Sequence, residues 1–377
     1  MENGESELVS ARGAYLVVVT HETSAAGFKG GPIARLARIL PQASARTQPA
    51  TQRVYSAPVS SSSDFSAEPA SIPPRPAALS RTLSEGGGVS ARALIGSNLI
   101  AEAMSLREMA PTAANALGRA MMGAVLIAVG PSAEDDDRGE DEGESVQLQF
   151  RGDGALGSVL AISDARGRVR GTVDHPDADL SLADGSPDVA RAIGLGTLTV
   201  VRHKPGWREP YSGIVPLTSG EIAQDITLYL SESEQIPSAV GLGVAMANDE
   251  SAVVAAGFLL QMLPGASEAE IAQAEKNVRA MPPPSDLALT GTDAGEILDL
   301  LLTGLGSRTH SHSQPIFYCP CTRKRALATL AMLEVDELQS IVREGIGQEV
   351  CCHFCARAYM LSPEEVGSLL GGAGPAR

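Results

Sequence analysis

The chain contains five cysteines, and every one lies near its C-terminus: Cys319, Cys321, Cys351, Cys352 and Cys355. Cys319-Pro-Cys321 and Cys352-His-Phe-Cys355 form two close pairs with thirty residues between them. Such pairs close a tetrahedral four-thiolate site, because each supplies one knuckle and the spacer folds back to join them. The spacing makes Cys319, Cys321, Cys352 and Cys355 the expected ligands of one zinc ion per chain. Cys351 is an extra thiol beside a ligand, either an inert neighbour or one able to swap into the site. A four-cysteine zinc centre carries a net charge of about −2, and the basic run Arg323-Lys324-Arg325 is the expected counter-charge. Spacing alone favours a structural staple. Two features favour a switch instead: all the thiols sit in one unit, and that unit hangs on a weak linker. Oxidation would then release the metal and unfold a region without touching the rest.

At 377 residues and 44% apolar composition the chain can form two or three units with a sizeable core. A net charge of −16 opposes binding to nucleic acid and anionic membranes. The apolar runs at residues 124–130 and 252–260 are far shorter than the roughly 18 to 20 residues that span a bilayer. Aromatics make up only 3%, too few for a base-stacking platform. No nucleic-acid or membrane partner is therefore expected. Arg151-Gly152-Asp153 reads as a turn, Gly194 and Gly196 lack the rest of a dinucleotide fingerprint, and His175 and His203 stand alone. With no nucleophile and base in supporting spacing, the chain is expected not to be an enzyme, with no catalytic residues and no organic cofactor.

Residues 1–76 read as a disordered N-terminal extension. Thr23 to Ser63 holds five basic residues, no acidic ones and ten Ser or Thr, the composition of an organelle transit peptide, although Glu2, Glu5 and Glu7 depart from it. An α+β core is expected over 77–257, with an antiparallel sheet and packed helices. It includes a helix from Pro111 to about Ala128, a solvated acidic loop at Glu134 to Glu144 and a meander of strands from Val146 onward. Thr218 and Glu221 stand in capping-box spacing before a helix starting at Ile222. Residues 258–315 read as a metastable helical linker interrupted by Pro282-Pro-Pro284. Residues 316–377 form the small C-terminal cysteine domain, with two short helices between the pairs and a capped last helix from Ser362.

The sequence resembles the heat shock protein 33 family of redox-regulated holdase chaperones. The resemblance rests on the two cysteine pairs and on Leu148-Gln-Phe-Arg-Gly-Asp-Gly154, Glu209-Pro-Tyr-Ser-Gly-Ile214, Ser219-Gly-Glu-Ile-Ala223, Ser233-Glu-Gln235 and Gln261-Met-Leu-Pro-Gly265. It implies zinc held by the reduced cysteines in an inactive state, and oxidation to Cys319–Cys321 and Cys352–Cys355 disulfides. Zinc loss, linker unfolding, homodimer formation and ATP-independent holding of unfolding client proteins would follow. The residues of 252–263 and 297–305 are candidate client contacts. The extension and the acidic loop depart from the family pattern, and the former points to an organelle, a plastid stroma before a mitochondrial matrix, with the cytoplasm as the alternative. Two other readings compete: a zinc-stabilised interaction module that does not switch, and a thiol-disulfide oxidoreductase using Cys352 and Cys355, which would need a thioredoxin-like βαβ context.

Overall fold

The computed structural model describes residues 9–11, 14–19, 76–130, 144–246 and 253–371. Its elements begin with β1 (Val9–Ala11), β2 (Ala14–Val19), β3 (Ala78–Leu83), β4 (Val89–Ile95), α1 (Ser97–Leu106) and α2 (Pro111–Ala128). Then come β5 (Ser145–Gly152), β6 (Ser158–Asp164), β7 (Arg168–Val173), α3 (Val189–Ile193), β8 (Gly196–His203), β9 (Tyr211–Leu217), α4 (Ile222–Glu232), β10 (Ser238–Met246) and β11 (Val253–Met262). The chain continues through α5 (Glu268–Ala280), α6 (Pro284–Leu289), α7 (Ala294–Leu301), β12 (Ser311–Ser313) and β13 (Ile316–Phe317). It ends in α8 (Arg323–Leu330), α9 (Val335–Glu344), β14 (Gln348–Cys351), β15 (Ala358–Leu361) and α10 (Pro363–Gly371). This is the expected α+β class, with antiparallel sheets, packed helices and a C-terminal four-cysteine cluster.

Helix α2 is the centre of the core. Pro111 starts it where a missing N–H costs nothing, and every later residue of the helix is buried because a sheet covers each side. On one side lie β5, β6 and β7 of a six-stranded sheet ordered β13-β7-β6-β5-β8-β9, and on the other β4, β10 and β11 of a seven-stranded sheet ordered β1-β2-β10-β11-β4-β3-β12. Strand alternation in Val146-Gln-Leu-Gln-Phe150 turns Val146, Leu148 and Phe150 inward. Gly123 allows the close approach: a Cβ there would lie 2.5 Å from Ile226 Cδ1. Midway along α2, Arg119 is fully buried and pairs with Glu221 at 3.0 Å. A buried pair like this is costly to break, since either partner alone would be a desolvated charge.

That pairing overturns the capping box expected at Thr218 and Glu221. Glu221 is the residue before α4, but its side chain makes no cap bond. Asp225 reaches back instead: its Oδ1 accepts from the amides of Thr218 and Ser219 and from both hydroxyls.

The face of the seven-stranded sheet turned away from α2 is covered by α5, α6 and α7. Ala274, Val278, Leu287, Ile297, Leu298 and Leu301 are buried against Val89, Ala91, Ala93, Phe258 and Leu260. Ser267 with Glu270 and Asp293 with Glu296 form full capping boxes on α5 and α7, and Pro284 starts α6 rather than breaking a helix. The segment read as a weak linker is thus folded onto the core in this state.

Two short stretches within residues 1–76 are strands. Strands β1 and β2 pair with each other, and β2 runs antiparallel along β10, Ala14 opposite Gly243 and Val19 opposite Ser238. The run Ala14-Tyr-Leu-Val-Val-Val19 is rich in strand formers, and β10 would otherwise present an open edge. The rest of the extension up to residue 75 and the acidic stretch before Glu144 lie outside the described residues. No helix among the described residues is long and apolar enough to cross a membrane.

Candidate metal centre

The two cysteine pairs come from segments that the local sequence positions differently. The first follows β13, a two-residue strand that docks in parallel on β7. Ile316 N–H donates to Gly167 O (3.1 Å), Tyr318 N–H donates to Val169 O (2.8 Å), and Phe317 enters the core. Gly167, at φ 74, makes this possible: a Cβ there would lie 3.0 Å from Pro315, and a side chain would be strained at that φ. The second pair closes the hairpin of β14 and β15, where Cys351 faces Ala358. The loop is pinned by Cys352 N–H to Arg357 O and Ala356 N–H to Cys352 O, both 2.9 Å, with Ala356 at φ 54.

The fold brings together the four predicted ligands. The Sγ atoms of Cys319, Cys321, Cys352 and Cys355 all lie within 4.8 Å of one another, and the nearest cross-knuckle pairs are Cys319 to Cys352 at 3.6 Å and Cys321 to Cys355 at 3.3 Å. A tetrahedral site with metal–sulfur bonds of about 2.3 Å has sulfur–sulfur edges of about 3.8 Å, so the cluster has the donor set and nearly the dimensions for one metal ion. Cys351 stays outside it. Strand alternation turns it to the solvent face with Glu349, whose Oε1 accepts from its thiol at 3.1 Å.

The surroundings of the sulfurs are uneven. Burial pushes the Cys319 and Cys355 thiols up. Burial acts upward on Cys321 too, but the Tyr359 hydroxyl, 3.2 Å from its Sγ, and the neighbouring thiols draw it down to about 7. Tyr359 is a contact that sequence reading missed, since only the hairpin register sets it beside the first knuckle.

The basic run divides between the first knuckle and the last helix. Arg323 forms a bidentate pair with Glu365 and donates to Met360 O, and Arg325 donates to Pro320 O. Arg323 therefore ties α8 to β15 and α10, while Arg325 holds to the first knuckle. The cation set between core and cluster is Arg170, on β7, whose guanidinium stacks 4.9 Å from the Phe354 ring. Burial lowers its affinity for the proton, while the negative charge of Cys319 and Cys352 raises it and Arg325 opposes.

Beyond the sulfurs this module has little to hold it. Ala326, Leu338, Leu361 and Val366 are its buried apolar residues, although α10 has its expected box between Ser362 and Glu365. Cys319 and Cys355 also touch the main core.

Comparison with known proteins agrees with this architecture. Residues 78–362 match the Hsp33 protein family. The 33 kDa chaperonin of Symbiobacterium thermophilum is 39% identical over 289 residues, covering 76% of this chain and 95% of that protein. That of Shouchella clausii is 38% identical over 75% of this chain and 94% of its own length. The crystal structure of the 33 kDa chaperonin (heat shock protein 33 homolog) from Thermotoga maritima superposes with a TM-score of 0.70 at 31% identity, over 79% of this chain and 98% of that one. A chain that shares the family's sequence over this length, its fold and a complete four-cysteine cluster belongs to the Hsp33 family of chaperones.

Proposed function

We propose that this chain is a redox-regulated, ATP-independent holdase whose cysteine cluster holds one zinc ion in the reduced, inactive state. The observation that carries the reading is the cross-knuckle cluster itself, joined through β13 to a core whose outer sheet face lies under α5 to α7. Bound zinc would compensate the charge of the four thiolates and keep the two knuckles together.

Oxidation makes one disulfide between Cys319 and Cys321 and another between Cys352 and Cys355. Four thiolates give four electrons to two molecules of peroxide, which take up four protons and leave as four waters. Both new bonds lie within a knuckle, so no covalent link spans the two. The module then has only its small apolar cluster, and metal loss removes on the order of 10 kcal/mol of folding free energy. The linker helices lose their anchor at β12 and β13 and leave the sheet. Within 252–263 and 297–305, the side chains packed against one another when reduced, Ala256, Phe258, Leu260 and Met262 with Ile297, Leu298, Leu301 and Leu302, become the client surface, and exposed faces of two chains associate as a homodimer. The N-terminal extension serves as an organelle address, a plastid rather than a mitochondrion.

The test is aggregation of an unfolding client with the reduced protein and with protein treated with peroxide and heat, while zinc release is followed. The proposal expects suppression by the treated protein alone, in step with release. Zinc retention with unchanged holding would select the static interaction module instead.

A further inference from the structure

One strand of the core holds both knuckles. In β7, Val169, Gly171 and Val173 face inward and Arg168, Arg170 and Thr172 face the other way. Arg168 lies 5.2 Å from the ring of Tyr318, the residue before Cys319. Arg170, two positions on, stacks on Phe354, which sits between Cys352 and Cys355. The two arginines differ in their partners. Arg168 pairs with Asp164 at 2.6 Å, so its charge is balanced within the core. Arg170 is part-buried, and among the described residues it has no carboxylate within ion-pair distance. The negative charges that act on it most are Cys319 and Cys352, with a smaller contribution from Asp164.

We propose that Arg170 is a positioning residue that makes docking of the cysteine module depend on the charge of its four sulfurs. This rests on the metal-loaded, oxidation-released reading above. Four thiolates around a dication carry about −2, and that charge compensates a partly desolvated guanidinium. Two disulfides without the dication carry none. Oxidation therefore removes the larger part of the counter-charge of Arg170 and leaves it with the weaker field of Asp164 and the Phe354 ring, which belongs to the knuckle that is rearranging. Arg168 keeps Asp164 in either state. The core thus reads the chemical state of the cluster through a residue that is not itself a ligand.

The experiment is amide hydrogen exchange at Ile316 and Tyr318, whose bonds to Gly167 and Val169 report docking, in the full-length, zinc-loaded, reduced protein and after peroxide treatment. Reduced Arg170→Gln should exchange faster by about tenfold, the scale of a close charge interaction with partial screening. Arg170→Lys should recover most of the protection, and high salt should speed exchange in the parent protein more than in Arg170→Gln. After oxidation, parent and Arg170→Gln should exchange alike. Equal protection of reduced Arg170→Gln and parent, no recovery with Lys, or an undiminished difference after oxidation would each overturn the proposal. If the parent does not change on oxidation, the switching reading fails, while the Gln and Lys comparison in the reduced protein still decides whether charge holds the module.

Discussion

The core and the cysteine module obey different rules although one chain makes both. The core buries α2 on all sides between two sheets and can hold Arg119 and Glu221 in its interior. The module buries Ala326, Leu338, Leu361 and Val366 and leaves Met332 86% and Ile346 64% exposed. Hydrophobic burial is sufficient for the first and insufficient for the second. On the function proposed above, such a unit is controlled by its four sulfurs without disturbing its neighbour.

The largest effect should come from breaking the cluster. Cys352→Ser should abolish exchange protection throughout 319–371, a loss on the order of 10 kcal/mol of local stability, with the thermal transition of the core unchanged. A module still protected in that variant would erase the distinction between the regions. Next come matched cavities. Leu338→Ala in the module and Leu148→Ala in the core should each cost about 2–5 kcal/mol. The first should appear as faster metal release to a chelator with no change in core melting, and the second as the reverse. Smaller again are the linker caps. Ser267→Ala and Asp293→Ala should each cost about 1 kcal/mol, seen as faster exchange in α5 or α7 alone.

The smallest effect separates the regions by pH. Burial pushes the Asp225 carboxyl above its usual range, and its bonds from Thr218 and Ser219 only partly offset this. A carboxyl raised by folding is one whose protonated form the fold prefers. Its contribution is full below the unfolded value of about 4 and is lost as pH rises through the folded value. Asp225→Asn, which keeps an acceptor at Oδ1, should flatten that slope in the core's stability profile and leave metal release unaltered. An unchanged slope would mean that another group sets it.

What could be read from sequence was what depends on near neighbours. Helix α2, the alternating strands from Val146 to Val215 and the box of Ser362 with Glu365 all rest on residues a few positions apart. The four-cysteine cluster was legible because knuckle spacing is local chemistry. The misses were distant pairings. Glu221 could not be known to serve Arg119, more than a hundred residues away, and so its capping role was misassigned. Arg323 was read against the cysteines beside it in sequence, whereas Glu365 claims it in space. Arg170, Tyr359 and strand β13 carry no local mark, and the outward turn of Cys351 follows from the β14–β15 register alone.

The most direct test of the account is a residue-resolved hydrogen-exchange comparison of the reduced, metal-loaded chain with the same chain after peroxide and heat. The account predicts that protection disappears across 319–371 and from α5 to α7, and that α2, β5 and β8 keep theirs. Protection retained in the module after both disulfides have formed, or lost from α2 along with it, would contradict the claim that one region is governed by its sulfurs and the other by its core.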